Sequence, residues 1–131
     1  MRYLLDASVC VELLRGNIDF IHLSLKADDC AISTVVLYEL EYGIARAPAQ
    51  HRHRLRENLD AFKACVAVMD YDSAAAEETG LIRAWLEARG EGIGHYDTMI
   101  AGQAKAGKMI LVTDNVNEFK RVPQLKVLPL R

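Results

Sequence analysis

At 131 residues and 51% apolar content, the chain has the size and material for one continuous core, so a single domain over 1–131 is expected and a two-domain arrangement is not. No run approaches the ~20 apolar residues of a membrane helix. Asp6 and Glu12 break the N-terminal apolar stretch too early for a secretory signal, and a cytoplasmic protein with no membrane partner is expected. A net charge of −2 lacks the basic excess of a dedicated nucleic-acid binder, yet four of the 18 acids gathered around a cation would leave 14 facing 16 Lys and Arg.

Along the chain, Tyr3-Leu4-Leu5 is a short apolar run ending at Asp6, followed by a helical pattern over 9–15 that Gly16 stops. Asn17 is placed to cap a second helix to about Lys26, Cys30-Ala31-Ile32 reads as a buried strand, and Ser33 or Thr34 as the cap of a helix with Val36, Leu40 and Ile44 on one stripe. Pro48 opens a further helix carrying Leu55, Leu59 and Phe62, and Val66-Ala67-Val68-Met69 is the third strand. A long helix over 74–89 places Leu81, Trp85 and Leu86 on its apolar positions, with Gly90 just past its end. After the loop Gly92-Ile93-Gly94 come a helix over 96–106, a clear strand over 109–113 and an edge strand over 126–128 bounded by Pro129. Strands alternating with helices or helix pairs imply a mainly parallel sheet covered on both faces, with the functional site at the C-terminal ends of its strands.

The cysteines Cys10, Cys30 and Cys65 are odd in number, widely spaced and set among apolar residues, which reads as reduced core thiols and not as a disulfide framework or zinc site. The acids are the more informative set. Asp6 ends the first strand, Asp114, Asn115 and Glu118 follow the fourth, and Glu39 and Asp97 lie in early turns of helices that begin near the same sheet edge. Singly, each has an ordinary explanation as a cap, a dipole partner or a solvated helix residue, and Glu41 competes with Glu39 on one helix. Together they are a different matter, because carboxylates about 6 Å apart repel by about 3 kcal/mol per pair at an effective dielectric near 20. A marginally stable domain tolerates such a cluster only around a cation or with raised proton affinities. All-oxygen donors suit Mg²⁺ or Mn²⁺, which keep water ligands for chemistry.

Four segments then stand out in order: Leu4-Leu5-Asp6-Ala7-Ser8, Ile32-Ser33-Thr34-Val35-Val36-Leu37-Tyr38-Glu39-Leu40-Glu41-Tyr42-Gly43, Ile93-Gly94-His95-Tyr96-Asp97-Thr98-Met99-Ile100-Ala101 and Leu111-Val112-Thr113-Asp114-Asn115-Val116-Asn117-Glu118-Phe119. In order and spacing they resemble the four motifs of VapC-type PIN domains, the ribonuclease toxins of type II toxin–antitoxin pairs. The resemblance implies a three-layer α/β/α fold, catalytic acids Asp6, Glu39, Asp97 and Glu118, and divalent metal held by Asp6, Glu39 and Asp97 with Asn115 at the fourth motif's polar position. It selects Glu39 over Glu41, because the family's acid stands four residues before the glycine matched by Gly43. It implies Mg²⁺- or Mn²⁺-dependent hydrolysis of RNA phosphodiester bonds, a homodimer, and silencing by a small antitoxin that places a basic side chain among the acids. Two departures stand out. Ala7 replaces the family's usual Thr or Ser, leaving support of Asp6 to Ser8, and the uncharged Asn115 weakens the case for a second metal. A catalytically weak PIN module binding RNA or protein is the alternative.

Other features weigh less. The stretch His51-Arg52-His53-Arg54-Leu55-Arg56 reads mainly as a solvated helix face. His95 is placed either to reach substrate or to cap the next helix, and Tyr38, Tyr42 and Tyr96 either to stack on bases or to line a protein interface. Ser8 stands where a haloacid-dehalogenase phosphatase needs a second Asp, the paired early acids of a receiver domain are missing, and no glycine-rich phosphate loop is present.

Overall fold

The computed structural model describes residues 2–130; Met1 and Arg131 lie outside it. Five strands, β1 (Tyr3–Leu5), β2 (Cys30–Ser33), β3 (Ala67–Met69), β4 (Ile110–Thr113) and β5 (Val127–Pro129), form one parallel sheet in the order β3-β2-β1-β4-β5. The central strands are continuous apolar runs because both their faces are covered: Leu4, Leu5, Cys30, Ala31, Ile32, Leu111 and Val112 are fully buried. The edge strand β3 is more open, and Val68 on it is 38% exposed.

The helices are α1 (Ala7–Leu14), α2 (Phe20–Leu23), α3 (Thr34–Ala45), α4 (Ala49–Cys65), α5 (Ser73–Ala88), α6 (His95–Ala106) and the single turn α7 (Val116–Phe119). Helices α1, α3 and α4 pack on one another, whereas α5 pairs with α6. Because parallel crossovers are right-handed, the chain builds outward from β1 through β3 with helices on one face, then reverses to β4 with its helices on the other. That reversal leaves a crevice between the C-terminal ends of β1 and β4, the topological switch point where ligands bind in such sheets.

The structure departs from several sequence expectations, each for a local reason. The helix expected over 17–26 shrinks to α2, capped by Asp19 through the His22 N–H at 2.9 Å and not by Asn17; Ser24 at φ 56° ends it, and a short 3₁₀ turn, Ala27–Asp29, leads into β2. On α5 the buried stripe is Ala75, Ile82 and Leu86, while Leu81 is 69% exposed and Trp85 is covered on one face by the Arg89 guanidinium at 3.9 Å. Cys65 is exposed at the end of α4, so only Cys10 and Cys30 are core thiols. Burial pushes both of these up, Cys30 to about 11, which leaves them unreactive.

Candidate functional site

Asp6 is the centre of the switch point. It caps α1 through Oδ1, which accepts from the Ala7 N–H at 2.6 Å, so the ordinary reading of this residue is correct as far as it goes. Its other oxygen has different partners. Oδ2 accepts from the Thr113 hydroxyl at 2.5 Å and from the Ser8 hydroxyl at 3.3 Å, in a residue only 6% exposed. The Thr113 Oγ1 in turn accepts the Asn115 N–H at 2.9 Å, and the Ser8 oxygen accepts the Asp114 N–H at 3.4 Å. Two hydroxyls thereby tie the end of β1 to the turn after β4 and fix the carboxylate's orientation. Ser8 supplies the support that Ala7 does not. Thr113 was missed as a functional candidate from sequence, where the only signal was a hydroxyl at the last position of the strongest strand.

Around Asp6 stand the other acids. Glu39, in the second turn of α3, is partly buried, and its carboxyl is pushed above the usual range by burial and then by the Asp6 and Asp97 charges. Asp97, in the first turn of α6, is pushed up to about 6 by burial and then by the charges of Asp6 and Glu118. Glu118, on α7, accepts a hydrogen bond from the Asn115 amide, so Asn115 is linked to the acids by its side chain. Glu41 goes elsewhere: it forms a paired contact with Arg56 of α4, one arm at 2.9 Å, and its carboxyl is held low by that guanidinium. Asp114 is exposed and joins the site through its backbone alone.

Among the described residues, no ion pair involves Asp6, Glu39, Asp97 or Glu118, so mutual repulsion is not relieved by Lys, Arg or His. This unrelieved negative field and the all-oxygen donor set fit a hard divalent cation. Among the described residues, three such side chains nowhere converge closely enough to make a ready-built cage. A cation held here would keep part of its coordination shell as water, as Mg²⁺ normally does.

The strain of this cluster predicts a pH effect on stability. Asp97 is ordinarily half-protonated near 3.8 and here near 6. A raised carboxyl contributes stability that is fully present below about pH 4 and is lost as the pH rises through about 6. The gap would amount to about 3 kcal/mol in a closed site and to roughly 1–2 kcal/mol in this half-open one. Melting of metal-free protein and of Asp97→Asn is expected to show the variant gaining on wild type between pH 4 and 7, with Mg²⁺ narrowing the difference. A constant difference across that range would contradict this assignment.

The remaining candidates lie outside the acid cluster or at its rim. His95 is the first residue of α6, and Gly94 occupies the cap position, so His95 is not the cap. The basic stretch lies on α4, where His53 pairs with Glu57, Arg56 with Glu41, and Arg52 donates to the Ala47 carbonyl. Beside Glu39, a groove of about 390 Å³ opens between α1, α3 and α4, lined by Val11, Leu14, Leu40, Ile44 and Leu55 and edged by Arg46.

Residues 3–125 match the profile of the PIN domain. The chain is 33% identical to the tRNA(fMet)-specific endonuclease VapC of Salmonella typhimurium over 97% of this chain and 96% of that one. It is 34% identical to ribonuclease VapC2 of Rickettsia felis over 95% of each. The fold is similar to that in the crystal structure of VapBC2 from Rickettsia felis bound to a DNA fragment from their promoter, with TM-score 0.89 and 33% identity over 98% of each chain. The chain belongs to the PIN-domain family and, within it, to the VapC proteins.

Proposed function

We propose that the chain is a metal-dependent endoribonuclease, the toxin of a type II toxin–antitoxin pair, acting through the acids at the switch point. One observation carries the catalytic reading: Asp6, Glu39, Asp97 and Glu118 share a negative field with no basic partner among the described residues, around an Asp fixed by two hydroxyls. Asp6, Glu39 and Asp97 hold Mg²⁺ or Mn²⁺, and Asn115 and Glu118 complete the rim. Bound there, the cation supplies activation of a water and stabilisation of the charge that develops on the phosphoryl oxygens. Thr113 and Ser8 keep the Asp6 oxygen aimed, and Glu118 holds the Asn115 amide in place. The name of the Salmonella relative makes initiator tRNA the first substrate to test.

We read the groove between α1, α3 and α4 as the antitoxin's seat, because its apolar walls suit an amphipathic segment and Glu39 is among its lining residues. A homodimer and a cytoplasmic location complete the reading. Free buried thiols support the latter, and no helix among the described residues is long and apolar enough to cross a membrane.

The test is cleavage of a cellular RNA pool and of initiator tRNA by antitoxin-free protein, with Mg²⁺ or Mn²⁺ and with chelator. Metal-dependent fragmentation abolished by chelator is expected. Intact RNA after incubation with folded protein and either metal would instead favour the binding-module alternative.

A further inference from the structure

Tyr38 and Tyr96 immediately precede Glu39 and Asp97, yet both rings are left open to solvent, at 53% and 49% exposure. They come from different helices and meet at the rim, with ring centroids 5.8 Å apart, planes tilted by 44° and hydroxyl oxygens at 3.4 Å. The rings meet each other on one side, and about half of each residue stays open to solvent, so the pair presents aromatic surface at the rim.

The same side of α3 carries the feature onward. Tyr42, 56% exposed, follows Tyr38 by four residues, and the Arg46 guanidinium lies over the Tyr42 ring at 5.3 Å. Residues four apart on a helix share one face and rise by about 6 Å per step. That exceeds the roughly 3.4 Å spacing of stacked bases and suits a strand whose bases are held apart. Exposed aromatic planes with an arginine in line, beginning at a phosphodiester-cleaving centre, are the elements of a single-strand platform, where stacking on side chains replaces stacking between bases.

We propose that one unpaired base of the RNA beside the scissile phosphate stacks on the exposed side of the Tyr38–Tyr96 pair, and that Tyr42 and Arg46 receive the next nucleotide along α3. This rests on the nuclease reading above but adds to it a preference for an unpaired loop or end. It makes the two tyrosines substrate-positioning residues.

The experiment uses a short single-stranded oligonucleotide with one 2-aminopurine, bound to the full chain with Ca²⁺ in place of Mg²⁺, so that binding is read apart from cleavage. Stacking on the tyrosines is expected to quench the fluorophore. Tyr38→Ala/Tyr96→Ala should lose the quenching and weaken binding about tenfold or more, while Tyr38→Phe/Tyr96→Phe retains both. Under Mg²⁺ or Mn²⁺ the Ala pair should raise KM more than it lowers kcat. Wild-type binding and quenching in a folded Ala pair overturn the proposal, even if the protein cleaves RNA well. So does an Ala pair whose only defect is in self-association or antitoxin affinity, which assigns the rings to a protein interface. Tyrosine-dependent quenching in a protein that cleaves nothing would uphold the platform and retire the nuclease.

Discussion

Asp6→Asn is expected to remove metal-dependent RNA cleavage while leaving the fold intact. On the proposed reading the loss should be about 10²–10⁴-fold, the rate equivalent of several kcal/mol of transition-state stabilisation by a cation. The substitution separates two roles that coincide in this side chain. As the cap of α1, Asp6 accepts the Ala7 N–H, and an Asn caps about as well as an Asp, so α1 should stay formed. As the centre of the acid cluster, however, it loses its charge, and with it much of the attraction for a divalent ion. Thr113→Val provides the graded companion. The valine nearly matches threonine in shape but cannot donate to Asp6 Oδ2 or accept the Asn115 N–H, so the carboxylate keeps its charge and loses its aim. Removing such a supporting partner costs about 10–100-fold in activity or metal affinity. Steady-state cleavage with a metal titration checks both variants. Full activity in Asp6→Asn would remove this carboxylate from the reaction altogether.

The second large effect is on stability, at the contact between α5 and α6. Gly102→Ala should destabilise the protein by about 1–3 kcal/mol despite introducing a better helix former. A Cβ at Gly102 would lie 2.0 Å from the Thr79 Oγ1, 2.8 Å from its backbone N and 2.9 Å from its Cα. A rotamer change relieves the first clash but not the other two, so the helices must move apart. Thr79 is also restrained, donating to the Ala75 carbonyl and accepting the Tyr71 hydroxyl, both at 2.7 Å. The gain in helix propensity, about 1 kcal/mol, opposes this and does not cancel it. Gly80, in the same helix pair, is the control: a Cβ there would meet nothing within 4 Å, so Gly80→Ala should raise stability by about 0.5–1 kcal/mol. Thermal denaturation of the two variants should give shifts of opposite sign. Because Asp97 lies on the same helix as Gly102, a displaced α6 should also reduce cleavage, and a Gly102→Ala protein as stable and active as wild type would contradict the close approach.

How far the sequence alone reaches differs between fold and site. The strands were legible because a parallel sheet buried on both faces demands continuous apolar runs, as in Leu111-Val112, and helix ends were legible where a cap or a glycine is chemically required, as at Ser33 and Gly16. The acids were legible as candidates, since each stands beside a strand end or in an early helical turn, and the spacing of Glu39 to Gly43 in the family pattern separated it from Glu41. What sequence spacing does not encode is distance between segments remote in the chain. The hydrogen bond from Thr113 to Asp6 spans 107 positions, and the pairing of Glu41 with Arg56 depends on how α4 folds back over α3. Gly80 and Gly102 are both helical glycines in sequence, yet only one has another backbone against it. Leu81 and Trp85 fit the helical period, but which stripe of α5 faces the sheet is set by its packing on α6. Local patterning therefore determined the elements, their order and the acids they carry, because those follow from forces acting within a few residues. The strand order, the mutual repulsion that defines the site and the hydroxyls that aim Asp6 were decided only by the tertiary structure, because they arise where a parallel sheet brings distant segments to one edge.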